Sequence, residues 1–467
     1  MKYLRFFLIL IVVVGLLGLS PSNTQGQTFV SYVSGITLQN LSNQPAVVTA
    51  RYYDQAGVDT FSTTDTIAAF GVKDYSTIPA PAGFNGSVVI TSDRSVGAVS
   101  TLRGDNRGRG AYIGASSGAT EINIPILMKN WGSSRWNTWF AVQNIDSADA
   151  TVEVNYAACA PAVDDTATIK PGAMKTFDQA DAACLGANPV LTSGIVRSTN
   201  GKNLAVIVAQ ESSVVNASLV SSGFPAGSTN PVVPLMNSNN PTTTGWRTAI
   251  SIFNQGNSST NVTLTYIKTD GTSCTETQTI ASKQARVFGG NNLISGAPGG
   301  VTLTCAVGQR VVGSAYVSAN STNQLLVATV NQDRGGLASA YGAIAPTAGT
   351  PKVFFPQIQD RNGATSQWAS SLMIFNAGST NVFVKCTFAN TSYTSVSGSL
   401  GPNRAWENLH RGNIAQGYVG SGECTAYTTS SYTTVDTSAR ILGVANVRGT
   451  GTSFDLMMSY EGVNTAP

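Results

Sequence analysis

The chain has 467 residues, of which 11% are charged, with a formal net charge of +3 and a single histidine. A balance this close to neutral gives no electrostatic case for nucleic acid or an acidic membrane surface as partner, and one imidazole cannot build a histidine metal site. The length suits several domains of about 100 to 150 residues rather than one core, and the richness in Gly, Ser, Thr, Asn and Val is that of an extracellular, turn-rich β-protein.

The chain opens with MKYLRFFLILIVVVGLLGLSPSNTQGQ, in which Lys2 and Arg5 precede an apolar run from Phe6 to Leu19 and small polar residues follow. That is the pattern of a secretory signal peptide, and the run falls short of the roughly 20 apolar residues a membrane span needs. Residues 1–26 are therefore expected to be removed, with cleavage near Gly26. No second apolar segment and no hydrophobic C-terminal tail follow, so the expectation is a secreted, extracellular or cell-surface protein without stable membrane insertion.

Four segments then share one rhythm, at 32–52, 136–156, 246–266 and 368–388. Each opens on an aromatic residue (Tyr32, Trp136, Trp246, Trp368) and reaches an asparagine eight residues later (Asn40, Asn144, Asn254, Asn376). Twelve residues beyond the asparagine stands a second aromatic (Tyr52, Tyr156, Tyr266, Phe388). Between these anchors, positions of one parity are apolar, as in Phe140/Val142 followed by Val152/Val154 and Ile250/Ile252 followed by Val262/Leu264. Period two places them on one face of a strand. Asparagine tolerates a left-handed backbone and bonds its own chain two residues on, so each segment is expected to be a hairpin with one apolar face.

Weaker echoes follow in every repeat: an aliphatic residue ending a Thr/Ser-rich run (Ile67, Ile169, Ile280, Leu400), then late alternating runs such as LAVIVAQ and ILGVANV. Many short strands at this spacing, without a long helical period, predict an all-β protein of four tandem immunoglobulin-like β-sandwich domains in a row. Their expected bounds are 27–122, 123–231, 232–352 and 353–467. A single large barrel is the alternative.

The six cysteines fall as one pair in each of repeats two to four: Cys159/Cys184, Cys274/Cys305 and Cys386/Cys424. In an exported chain this arithmetic predicts three local disulfides. Metal ligation is the competing reading, but neither CxxC spacing nor a histidine cluster accompanies them, and no metal or other cofactor is expected.

A smaller motif precedes the later repeats: IPIL at 124–127, VPLM at 233–236 and FPQI at 355–358. One reading is a linker passing into an edge strand, where proline is tolerated. The other is a strand essential to each sandwich. Repeat one has only QTFVS in its place and is then a strand short, with an open edge able to take a strand from another chain. On that reading subunits self-associate head to tail, with the segment around 23–31 at the joint.

Little else points to chemistry. GASSG at 114–118 matches the nucleophile-elbow pattern, yet it sits in a Gly/Ser-rich loop, and the one histidine, His410, belongs to another repeat and suits a surface position. RGD at 103–105 lies in an Arg/Gly loop, and the adjacent Asp164 and Asp165 have no counterpart in other repeats. No catalytic residue is assigned and no enzyme is expected. Trp139 has the parity opposite to the inward set, which leaves it either exposed for stacking on a sugar or packed on an adjoining repeat or the other sheet. Sequons at Asn85, Asn216, Asn257, Asn261, Asn320 and Asn390 permit covalent glycans.

With these repeats the chain resembles secreted prokaryotic cell-surface proteins built of tandem immunoglobulin-like sandwiches, among them subunits of filaments, pili and stalks. The resemblance implies an extracellular structural protein, a subunit of a surface filament or coat. A secreted adhesin or carbohydrate-binding protein is the alternative.

Overall fold

The computed structural model describes residues 7–13, 32–104, 109–238, 245–289, 311–321, 323–334, 336–365, 367–450 and 457–465. The chain divides into two compact units, Met1–Ala226 and Gly227–Pro467, and each holds two β-sandwiches.

The first sandwich runs β1 (Phe7–Val13), β2 (Tyr32–Asn40), β3 (Ala46–Asp54), β4 (Asp59–Ile67), β5 (Val72–Tyr75), β6 (Gly86–Ser92), β7 (Val96–Gly104) and β8 (Arg109–Ile113). The second runs β9 (Glu121–Lys129), β10 (Asn137–Asn144), β11 (Ala150–Tyr156), β12 (Asp165–Ile169), β13 (Met174–Asp178), β14 (Val190–Ser198), β15 (Leu204–Ser212) and β16 (Ala217–Ser222). The third comprises β17 (Val232–Ser238), β18 (Arg247–Asn254), β19 (Thr260–Lys268), β20 (Ser273–Ile280), β21 (Ala285–Phe288), β22 (Val311–Ala319), β23 (Leu326–Arg334) and β24 (Leu337–Gly342). The fourth comprises β25 (Lys352–Asp360), β26 (Ala369–Asn376), β27 (Val382–Phe388), β28 (Thr394–Leu400), β29 (Ala405–Asn408), β30 (Tyr418–Tyr427), β31 (Ile441–Arg448), β32 (Met457–Glu461) and β33 (Val463–Asn464).

One topology serves all four. In the first sandwich the sheet β1-β6-β3-β4 faces the sheet β5-β2-β7-β8, and the second and third repeat this order strand for strand. The fourth repeats it too, with β33 added outside β25. The chain is thus the all-β series of tandem sandwiches that the repeat spacing predicts.

The asparagine corner differs from the hairpin expected there. β2 pairs with β5 and β7, whereas β3 pairs with β4 and β6, so the chain leaves one sheet at Asn40 and enters the other. A hairpin would lay both apolar faces side by side and require a further layer to cover them. Folded as an arch, they cover each other, and Ile36 and Leu38 share one core with Val48 and Ala50.

The asparagine side chain fixes that arch from within. Asn40 is fully buried; its Nδ2 donates to the carbonyls of Gln44, Ile67 and Ala68, and its Oδ1 accepts the Ser42 N–H. Asn144 binds Ala148 and Ile169 and accepts from Asp146. Asn254 binds Ser258, Ile280 and Ala281 and accepts from Gly256. Asn376 binds Thr380 and Leu400 and accepts from Gly378. In each case one amide closes the turn and ties it to the carbonyl that ends the fourth strand of the sandwich.

Within each unit the two sandwiches share packing, and their facing sheets are buried on both sides. Every residue of β10 and β15 is buried, which explains why these strands read as near-continuous apolar runs. Trp139 is accordingly not available to a sugar. It is 0% exposed and meets Tyr32 of the first sandwich edge to face at 5.7 Å between ring centroids. Parity correctly turned it away from its own core, but a neighbouring sandwich covers that face. Beside it, the Tyr32 hydroxyl donates to the buried Glu211 carboxylate at 2.9 Å. Strands β8 and β16 approach so closely at Gly110 that a Cβ there would stand 2.1 Å from Val220 Cγ2.

Replacing Asn254 by Ala strands buried partners at the third corner, each costing about 1–3 kcal/mol if left unsatisfied. N254A is expected to destabilise the third sandwich by at least ~2 kcal/mol, while N257A on the exposed turn changes stability by under ~0.5 kcal/mol. Denaturant melting of the full chain with hydrogen exchange localised to β18 and β19 checks both.

Candidate functional site: the first-strand edge

The first strands β1, β9 and β17 stand at the end of a sheet, and β25 stands between β30 and the short β33. β1, β9, β17 and β25 pair with β6, β14, β22 and β30 respectively. The far side of the later three is partly closed within the chain, by the bridges Asn123↔Phe224 and Val232↔Ile344 and by β33 beside Val353 and Phe354, so the place of exchange is the row of backbone groups that a first strand leaves on its neighbour when it departs.

Three of the four carry a proline bulge. In β9, Leu127 pairs with Thr192 and Ile124 with Gly194, so Pro125 and Ile126 stand opposite Ser193 alone. In β17, Pro234 and Leu235 stand opposite Ser314, and in β25, Pro356 and Gln357 stand opposite Ser421. The geometry suits proline, which lacks the N–H a regular ladder would require.

In the second unit a tyrosine clasps each bulge. The Leu235 N–H donates to the Tyr341 hydroxyl at 3.2 Å, and that hydroxyl donates to the Leu235 carbonyl. Tyr460 holds Gln357 in the same way, with the Gln357 N–H at 3.3 Å. Burial pushes both phenols well above their ordinary value, which keeps the donating proton in place. Sequence reasoning missed these two residues. Their signal was the shared ending of repeats one, three and four, GAYI, SAYG and MSYE.

The first sandwich is different. Its edge position is filled by β1, part of the segment expected as the leader, in an unshifted register from Phe7↔Ser92 to Val13↔Gly86. The segment around 23–31 lies outside the described residues.

The other candidate residues are placed as follows. Cys159–Cys184 and Cys386–Cys424 are closed disulfides; Cys274 is also disulfide-bonded, and Cys305 lies outside the described residues. Tyr32, Tyr52, Tyr156, Trp246, Tyr266, Trp368 and Phe388 are buried, whereas Trp136 is half-buried. Of the sequons, Asn257, Asn261, Asn320 and Asn390 are exposed, and Asn85 and Asn216 are half-buried. Ser116 of GASSG is an exposed residue of the β8–β9 connection. Asp164 accepts the Tyr156 N–H and Asp165 the Tyr156 hydroxyl, so both brace a strand end. Among the described residues the grouping able to surround an ion is Cys159, Asp164 and Cys184, and the disulfide takes up its two sulfurs.

A cleft of about 240 Å³ lies between the sandwiches of the second unit, lined in part by Asn237, Trp246, Arg411, Asn446, Arg448 and Met457. Burial, with Arg334 and Arg411 nearby, lowers the Arg448 guanidinium below its ordinary value. His410 is not at the surface. It is 0% exposed, its ring centroid lies 4.9 Å from that of Phe388, and neither ring nitrogen has a hydrogen-bond partner among the described residues. The buried Asp360 carboxylate accepts the N–H groups of Gly412 and Ile414 and so ties down the loop that carries His410.

No family model matches the chain, and no curated protein matches it. Among solved structures it is similar to a tetra-tandem repeat in the extending region of a large adhesion protein, at 12% identity over 99% of this chain and 100% of that one, with a TM-score of 0.12. It is also similar to the pilus adhesin SpaC from Lactobacillus rhamnosus GG in its open conformation, at 8% identity over 93% of this chain and 57% of that one, with a TM-score of 0.09. At such scores neither superposition bears on the function, and the reading below rests on the chain's own residues. Among the described residues no helix is long and apolar enough to cross a membrane.

Burial pushes the His410 imidazole down to about 4, against the pull of Asp360. The unfolded chain, with a histidine near 6.5, takes up a proton the folded chain refuses. Stability is therefore full above about pH 6.5 and falls toward pH 4, by on the order of 3 kcal/mol. Stability of H410F measured against pH is expected to lose this part of the slope, and an unchanged slope would show that His410 does not carry it.

Proposed function

We propose that the protein is an extracellular structural subunit of a surface filament or coat, without enzymatic activity, whose first sandwich is completed by a strand donated from outside. The observation that carries the reading is the shared place of β1, β9, β17 and β25, each beside the sixth strand of its sandwich. Three of these strands lie within the body of the chain, and the fourth is the apolar segment a signal peptidase is expected to remove. Removal exposes the full length of β6, a row of unpaired amides beside an apolar core, which a second chain can cover by β-augmentation. Head-to-tail self-association, with the segment around 23–31 at the joint, is the simplest assembly of this kind. The burial pattern supports a structural role, since the repeated residues are spent on cores and corners and no polar site recurs. The exposed sequons leave room for glycans on the surface of such a subunit.

Negative-stain microscopy and light scattering of the secreted chain, beside one also lacking residues 23–31, test the reading. Filaments from the first and single molecules from the second are expected. A concentration-independent monomer in both cases contradicts self-association. Adhesion then becomes the reading to pursue, with the Trp246–Arg448 cleft as the place for a sugar and a glycan array as its assay.

A further inference from the structure

Both units join their sandwiches in the same way, with β8 beside β16 in the first and β24 beside β32 in the second. One place in that seam is filled in the first unit and open in the second. In the first unit Trp139 packs on Tyr32 there, and Glu211 accepts the Tyr32 hydroxyl. Asp178, which pairs with Trp139 in register, is buried beside them.

The strand registers give the counterparts in the second unit. Asn144 pairs with Leu204 and Asn376 with Ile441, so Trp139↔Ala209 corresponds to Ser371↔Asn446, and Asn137↔Glu211 to Ala369↔Arg448. Asp178 follows Phe177, the partner of Phe140, and Leu409 follows Asn408, the partner of Leu372. The anchor Tyr32 corresponds to Trp246. Gly104 corresponds to Arg334, since each stands eight residues beyond the partner of its corner asparagine. The indole and two carboxylates of the first seam are thus replaced by a hydroxyl, a leucine and a guanidinium, and the cleft of about 240 Å³ stands in the gap.

Among the described residues Arg448 makes no ion pair or hydrogen bond, and the charges that act on it are those of Arg334 and Arg411. Arg411 donates to two neutral acceptors, Gln367 Oε1 at 3.4 Å and Thr450 Oγ1 at 3.3 Å. Glu407 also lines the cleft but is not among the groups that act on Arg448. Asn446 Oδ1 accepts from Ser459, whereas its Nδ2 and the Ser371 hydroxyl have no hydrogen-bond partner among the described residues. Trp246, Leu235 and Met457 supply an apolar wall. Guanidiniums without a carboxylate suit an anion that takes two parallel N–H bonds. Hydroxyl and amide groups beside an apolar wall suit a polyhydroxylated ring rather than an aromatic one. We propose that the cleft binds an acidic sugar, a hexuronic acid, with its carboxylate against Arg448 and Arg411. The ring takes the place that Trp139 fills in the first unit. Its hydroxyls reach Ser371 and Asn446, and its C–H face packs on Trp246. The site does not depend on strand donation, and a filament of such subunits carries it once per subunit.

Calorimetric titration of the secreted chain tests this with tetragalacturonate, its methyl ester, D-galacturonate, acetate and indole-3-acetate. The tetramer is expected to bind about tenfold or more tightly than its ester, which lacks the charge that Arg448 meets. R448Q should weaken the acid by about tenfold or more and leave the ester unchanged. S371W, which restores the indole of the first seam and alters no charge, should abolish binding of both. A monomer bound within about threefold of the tetramer assigns the site to the free sugar acid, and a tighter tetramer assigns it to a polysaccharide; either supports the proposal. Equal binding of acid and ester overturns it, as does binding that survives both R448Q and S371W. Acetate bound as tightly as galacturonate, indole-3-acetate bound more tightly, or no binding of the acids at millimolar concentration also overturns it. The ratio of acid to ester is read in the unaltered chain and stands whether or not a variant folds.

Discussion

A buried asparagine amide turns the chain from one sheet to the other in every sandwich, and the rest of the architecture depends on that corner. A chain that crosses between sheets leaves backbone groups at the turn that no ladder can pair, and a buried, unpaired amide or carbonyl is costly. One asparagine meets both needs, since its Oδ1 accepts from the turn and its Nδ2 reaches the end of another strand in the opposite sheet. With the corner fixed, the apolar faces on either side must oppose each other, and the strands that follow have few other places to go.

The corner also explains the importance of the first strand. Folding as an arch commits the second and third strands to different sheets, so neither can close the sheet edge beside the sixth. That position falls to a segment arriving from upstream, and the chain supplies β9, β17 and β25 from the connections between repeats. For the first sandwich the upstream segment is the N-terminal β1, which pairs with β6 in an unshifted register and has neither the proline nor the bulge of β9, β17 and β25.

Much of this was legible in the sequence. The aromatic and asparagine spacings set the repeat, and alternation assigned Phe140, Val142, Ile250 and Ile252 to cores. The hairpin expectation failed because period two is the same whether adjacent strands pair or oppose; which of these occurs is settled by long-range contacts such as Asn40 with Ile67. Trp139 was ambiguous for a similar reason, since parity gives the face of a sheet but not what covers it. His410 sits in a polar stretch whose loop is drawn inward by Asp360, some fifty residues earlier in the chain, and no local pattern announces that.

The most direct test of the open first edge is amide hydrogen exchange along β6, Gly86–Ser92, in the secreted protein, compared between dilute monomer and assembled material. The account predicts rapid exchange in the monomer at the amides that face the β1 position, with strong protection after assembly. Slow exchange there in a dilute monomer shown by mass to lack residues 1–26 would contradict it.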